Sequence, residues 1–264
     1  MRIGIVGGGF VGRATALFEC KGVETCVYEL DDAKRSPSDT TKKDLLACDL
    51  VFVCVPTYKN SEYNTTIVER CVADLKELGV QHIVLRSTVP PGTSKRLDVA
   101  CMPEFLTDVN WRSDFYNCDA WIIGIQRQTQ VALFQRLLTL AATAGSIKRN
   151  RPVFVSRGEA EMIKYVRSNF FALKQAFFTE VHALCRAHEL DYTTVRDGVA
   201  MDTRIGVSHT ASSGSHGHLP KDTCSLFHIP IVNACHTDKT AFFSDKPVDL
   251  CTHDLESAYH TYTT

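Results

Sequence analysis

Short apolar runs alternate with amphipathic stretches along the first half of the chain. Arg2 to Val6, Glu24 to Glu29, Leu50 to Val55 and His82 to Arg86 are each bounded by polar or turn residues. Such runs suit strands of a buried parallel sheet. Between them, Val11 to Lys21 reads as a helix. Thr65 to Leu78 does so more clearly, with Ile67, Val68, Cys71, Val72 and Leu75 at helical spacing. Trp121 to Ile125 adds a strand and Thr129 to Ala144 a further helix. This rhythm predicts an α/β fold with a doubly wound parallel sheet.

The texture changes after Arg151–Pro152. From Glu159 to Ala187, Ile163, Val166, Phe170, Leu173, Phe177, Val181 and Leu184 fall on one stripe. A period of three to four residues sustained over that length predicts a long helix buried on one broad face. Aromatic residues in such a stripe suit a core or a subunit interface. The expected division is therefore a sheet domain over residues 1–150 and a helical domain over residues 151–264. The second carries the loop "SSGSHGHLPKD" (Ser212–Asp222) and a weakly patterned tail.

Composition narrows the partners. Lysine and arginine total 29 against 30 aspartate and glutamate, a net charge of −1 without a basic block. That balance does not favour nucleic acid or an anionic membrane as the main partner. The 11 cysteines show no C-x-x-C spacing, in a chain too long for a disulfide miniature. Reduced thiols in a cytoplasmic protein are the natural reading, with Cys26, Cys54 and Cys101 as small core residues. No apolar run is long enough to span a bilayer, and the N-terminus lacks the pattern of a signal peptide.

The run "GIVGGGFVG" places Gly7, Gly9 and Gly12 in G-x-G-x-x-G spacing between a strand and a helix. Gly7 permits the tight turn, Gly9 admits a pyrophosphate, and Gly12 lets the helix pack on the sheet. Glu29 ends the second strand about 20 residues on, where a carboxylate reads a ribose 2′-hydroxyl. Together these predict a Rossmann domain binding NAD rather than NADP.

Six further runs carry a family resemblance: "VFVCVPT" (Val51–Thr57), "STVPPGT" (Ser87–Thr93), "PEFL" (Pro103–Leu106), "AEMIKYVRSNFFALKQAFFTE" (Ala160–Glu180), "DTRIG" (Asp202–Gly206) and "LPKD" (Leu219–Asp222). In order and spacing they resemble the UDP-glucose/GDP-mannose dehydrogenase family. The resemblance implies an NAD-binding Rossmann domain followed by a helical dimerisation domain. In that family a further nucleotide-binding domain follows, which is expected to be lacking here. It also implies that Thr88 holds a water, that Glu104 is the active-site carboxylate, and that Lys164 is the catalytic lysine. Asp108 stands where the family has a glutamate, and Asp222 matches an aspartate that closes the site. Phe10, Val11, Pro56, Thr57, Ser87 and Lys221 would line the cofactor. Phe105 and Leu106 would line a nucleotide-sugar substrate, and Arg204 would reach it across a homodimer.

The departures from that pattern bear on the chemistry. His218 occupies the position of the family's nucleophilic cysteine, and Ser168 that of its asparagine, with Asn169 one step out of register. Oxidation of an alcohol to an acid with two NAD molecules traps the aldehyde on a thiolate. An imidazole is a poor substitute. Lys164 and Glu104 suffice for one hydride, as in the β-hydroxyacid dehydrogenases, where a lysine on a comparable helix takes the hydroxyl proton. On that ground the expected reaction is redox-neutral decarboxylation of UDP-glucuronate to UDP-xylose through a 4-keto intermediate. Lys164 would serve the C4 hydroxyl, and His218 would lie beside the carboxylate as acid or base. The alternatives are a UDP-glucose or GDP-mannose 6-dehydrogenase and a non-catalytic nucleotide-binding dimer. His209, His216 and His218 lack partners at ligand spacing, and no metal is expected.

Overall fold

The computed structural model describes residues 1–59, 62–107 and 109–210. Along the chain run β1 (Arg2–Val6), α1 (Phe10–Thr15), β2 (Glu24–Tyr28), β3 (Leu50–Val53), β4 (Tyr58–Lys59) and β5 (Glu62–Tyr63). There follow α2 (Thr66–Leu78), β6 (Ile83–Leu85), α3 (Thr93–Arg96), β7 (Ala100–Cys101) and α4 (Trp111–Tyr116). The remainder is β8 (Trp121–Gly124), α5 (Thr129–Thr143), β9 (Pro152–Val155), α6 (Arg157–Ala187) and α7 (Tyr192–Ala200).

Seven strands form one sheet in the order β2-β1-β3-β6-β7-β8-β9, and β4 and β5 make a separate hairpin. Every pairing in the large sheet is parallel except β7 with β8. The expected α/β fold with helical elements after the sheet is thus present. Alternate residues of one strand enter opposite cores, which explains the unbroken apolar runs. Ile3, Ile5, Leu50, Phe52 and Val84 face one core, and Val6, Val51, Val53, Ile83 and Leu85 the other. Phe115 packs edge-on against both Phe18 and Trp121, with ring centroids 4.8 and 5.1 Å apart. The core role expected for Cys26, Cys54 and Cys101 holds, since all three are buried.

The sheet continues past residue 150, because β9 pairs with β8 along its whole length. By compactness the described chain divides inside α6: Met1–Ala172 belongs to one unit and the residues from Leu173 to another. A capping box starts α6. The Ser156 amide donates to the Glu159 carboxylate at 2.7 Å, and the Glu159 amide donates to Ser156 Oγ at 3.3 Å.

The face of α6 that is buried differs from the expected one. Ala160, Glu161, Lys164, Tyr165, Ser168 and Asn169 are buried, whereas Val166, Phe170, Phe177 and Leu184 of the predicted stripe are exposed. Helical spacing identified the apolar stripe, but apolar character alone did not say which face the sheet domain covers. In the second unit, α7 begins with an Asp191 cap that accepts from the Thr193 and Thr194 amides at 3.2 and 3.0 Å. Among the described residues no helix is long and apolar enough to cross a membrane.

Candidate functional site

Because β1, β3, β6 and β7 run parallel, the loops after them gather at one edge of the sheet. These loops carry Gly7–Gly9, Pro56–Thr57, Ser87–Thr88 and Glu104 in turn. The chain leaves β1 for β2 on one side and for β3 on the other, so this edge is also the topological switch point where such sheets bind ligands.

The glycine loop fits a dinucleotide. Gly7 has φ +105°, and its N–H donates to the Tyr28 carbonyl at 3.0 Å. A Cβ there would approach the Cys54 carbonyl oxygen to 2.5 Å, so any side chain would push β1 and β3 apart. A Cβ at Gly12 would overlap the Gly7 carbonyl oxygen. Gly9, in contrast, faces open space, as a backbone that meets a pyrophosphate must. Glu29 stands beside the loop, its carboxylate accepting from the Gly8 and Leu30 amides at 2.8 Å each. Phe10 and Val11 follow at the start of α1, where the Phe10 ring meets Trp111 edge-on at 6.2 Å. Thr57 is buried, and Ser87 Oγ donates to the Val55 carbonyl at 2.7 Å, tying two loops together.

Glu104 and Lys164 meet in the same unit. Glu104 follows β7 and Lys164 lies two turns into α6; their charged atoms are 2.7 Å apart, and both side chains are buried. Burial by itself pushes the Glu104 carboxyl up. The Lys164 ammonium and its hydrogen bond, the Leu106 amide and the Arg86 charge outweigh it and hold the group at about 2. The Leu106 amide donates to Glu104 Oε2 at 2.8 Å, which folds "PEFL" around its carboxylate. Phe105 lies next to this pair, with Lys164 Nζ 6.0 Å from its ring centroid.

Ser168 is buried one turn beyond Lys164 on α6, and Thr88 is buried in the loop after β6. Asn169 is buried too, donating Nδ2 to the Tyr165 carbonyl of its own helix at 2.8 Å. Arg204 lies in the second unit, exposed and forked onto Asp202. Asp108, His216, His218, Lys221 and Asp222 lie outside the described residues. His209 has φ +58°, and among the described residues no group of three His, Cys, Asp or Glu could hold a metal ion.

Three charged residues beside this pair and the Thr88 loop escaped the sequence reading. Glu161 is buried and accepts from the Gly92 and Ser94 amides at 2.5 and 2.7 Å, fastening the loop that bears Thr88 to α6. Arg167 lays its guanidinium 4.0 Å above the Phe105 ring. Arg86, at the end of β6, is buried behind Glu104. Their common signal is a charged residue placed among apolar ones, at the end of "HIVLR" or on the lysine's side of α6.

Comparison with known proteins follows the same map. Residues 18–141 match the NAD binding domain of the UDP-glucose/GDP-mannose dehydrogenase family, and residues 158–238 match its central domain. The UDP-glucose 6-dehydrogenase TuaD of Bacillus subtilis is 30% identical over 203 residues, covering 69% of this chain and 42% of its own. The UDP-glucose 6-dehydrogenase of Campylobacter jejuni is 26% identical, covering 87% of this chain and 69% of its own. The chain thus spans less than half the length of the Bacillus relative. Among solved structures, a UDP-glucose dehydrogenase from Pyrobaculum islandicum superposes with a TM-score of 0.74 at 22% identity, covering 89% of this chain and 66% of its own. The 3-hydroxyisobutyrate dehydrogenase of Mycobacterium tuberculosis gives 0.68 at 13% identity, covering 89% and 91%. At those identities the likeness speaks for the fold.

These relatives correct one expectation. They are named as dehydrogenases, so redox-neutral decarboxylation of UDP-glucuronate to UDP-xylose, a lyase reaction, is withdrawn. The expectation had rested on His218 standing in place of a thiol, and His218 lies outside the described residues. The N-terminal domain is NAD-binding, and the backbone of Gly7, Gly9 and Gly12 with Glu29 beside it fits that cofactor. With both domain models matched in order over most of its length, the chain belongs to the UDP-glucose/GDP-mannose dehydrogenase family.

Proposed function

We propose that this chain is an NAD-dependent oxidoreductase that oxidises a hydroxyl group of a nucleotide sugar, with a UDP-hexose as the first substrate to examine. The observation that carries this reading is the buried Glu104–Lys164 pair, 2.7 Å apart, at the sheet edge that also bears the glycine loop. Bound NAD supplies the hydride acceptor. Lys164, in its neutral form, takes the hydroxyl proton, and Glu104 stabilises the ammonium so formed. Phe105 and Leu106 exclude water on the Glu104 side, and Thr88 holds a water or substrate hydroxyl. Pro56, Thr57, Ser87 and Lys221 border the cofactor, Arg204 meets substrate from a partner copy, and Asp108, Ser168 and Asp222 complete the site.

His218 stands at the thiol position of the family pattern, so oxidation ends at the carbonyl and one NADH forms per sugar. The exposed aromatic face of α6 supports a homodimer, and thiols without a disulfide framework support a cytoplasmic setting. Incubation of the full chain with NAD and UDP-glucose tests this, with NADH read by absorbance and the sugar by mass spectrometry. The expected result is one NADH per sugar oxidised, and Lys164→Met should lower kcat/KM by about 100-fold or more. Two NADH and a carboxylate product would overturn the role given to His218. No NADH from any UDP- or GDP-hexose would overturn the activity.

A further inference from the structure

We propose that Arg86 is a positioning residue of this site: a buried positive charge behind Glu104 that divides the carboxylate's attraction and eases proton release from Lys164. The inference rests on the reading of Lys164 as the base, and on four observations.

Arg86 is held in place by its backbone, whose N–H donates to the Val53 carbonyl at 2.9 Å. Its side chain is only 2% exposed. The guanidinium makes one long hydrogen bond, from Nη1 to the Met102 carbonyl at 3.4 Å, and Nε has no partner. Among the described residues no carboxylate forms an ion pair with it. A buried charge so poorly answered is costly, and it persists only where something else uses it.

The neighbouring thiols do not answer it. Burial pushes Cys54, Cys101 and Cys118 upward, so all three are neutral near pH 7. Asp114 faces the same region from α4, but its carboxylate is engaged by the Thr107 amide and hydroxyl at 2.7 and 2.5 Å. Arg167 is a second cation, turned onto the Phe105 ring. Among the described residues Glu104 is left as the anion that responds to Arg86. The two side chains line one small cavity of about 20 Å³, together with Phe105, Leu106, Cys118 and Trp121.

The charge balance gives the consequence. Without Arg86, loss of the Lys164 proton converts a neutral buried pair into a lone buried carboxylate. With Arg86 present, the same loss leaves a neutral Glu104–Arg86 couple. A low-dielectric interior favours the second course. Arg86 moves no proton itself; it acts through Glu104 on Lys164.

The test compares wild type, Arg86→Gln and Arg86→Lys as full-length chains. In Arg86→Gln the acid limb of the kcat/KM profile should move upward by about one pH unit, and Arg86→Lys should return it towards wild type. A pH titration of Lys164, followed by NMR on ¹³Cε-labelled lysine, should show the same displacement without turnover. Lower stability in Arg86→Gln with unmoved midpoints would overturn the proposal and leave a structural role. Should Arg86→Gln not fold, the wild type decides: a Lys164 midpoint above the ordinary lysine range, about 10.4, overturns it. Absence of turnover together with the displaced NMR midpoint would count against the activity while supporting Arg86.

Discussion

Glu104 and Lys164 each keep the other's charge tolerable inside the protein. Removing Glu104 strands the Lys164 ammonium and the Arg86 guanidinium in a medium that solvates both poorly, at a cost of about 3 kcal/mol or more. Removing Lys164 leaves Glu104 with Arg86 as its counter-charge and costs less. Glu104→Gln should therefore lower the urea midpoint sharply, and Lys164→Met by less. Replacing all three buried charges by apolar residues, Glu104→Leu and Lys164→Met with Arg86→Met, should recover much of the loss. Recovery no better than the sum of the separate losses would mean that the three charges do not act as a unit. The pH dependence has a definite sign. The Glu104 carboxyl lies near 2 in the folded chain against an ordinary 4.5. Its contribution is fully present above the ordinary value and fades as pH falls through the folded one. In Glu104→Gln that part of the acid destabilisation between about pH 4.5 and pH 2 should vanish from melting curves.

At the scale of elements, the site depends on how closely α1 and α6 approach the sheet. A methyl group at Gly12 would overlap the Gly7 carbonyl, so Gly12→Ala should displace α1 from β1. The expected result is at least a tenfold weaker NAD affinity in a calorimetric titration; unchanged affinity would sink this view of the loop. Glu161 acts at the other side of the site, where it clamps the Thr88 loop through the Gly92 and Ser94 amides. The longer elements were legible because each carries several periods of a pattern, as in α2, where Val68, Val72 and Leu75 turn inward as spaced. β7 has two residues and α3 four, too few for any period to show. β9 opens on Pro152, a residue that reads as a break and is tolerated at the first position of a strand.

At the scale of the whole molecule, the apolar side of α6 presents among the described residues a surface that asks for a partner. Phe170 and Phe177 are 61% and 62% exposed, seven residues apart on one face of the helix. That is unfavourable for a single copy in water and suits burial against a second. Phe177→Glu should convert a dimer to a monomer in sedimentation analysis while leaving the circular dichroism of the chain unchanged. A wild type that already sediments as a monomer would refute the dimer.

The sequence by itself determined the βαβ order, the glycine loop with Glu29, and the candidacy of Glu104 and Lys164. The first two are local, a spacing and a turn that only glycine permits, whereas the candidacy of Glu104 and Lys164 came from a resemblance carried by six runs taken in order. Only the tertiary structure decided that Glu104, 60 residues from Lys164 in sequence, meets it at 2.7 Å. It alone turned the polar side of α6 inward and set Arg86 behind the carboxylate. Periodicity establishes that a helix has faces. Which face is buried depends on what the rest of the chain offers to satisfy it, and here a carboxylate and two backbone amides were waiting for the charged one.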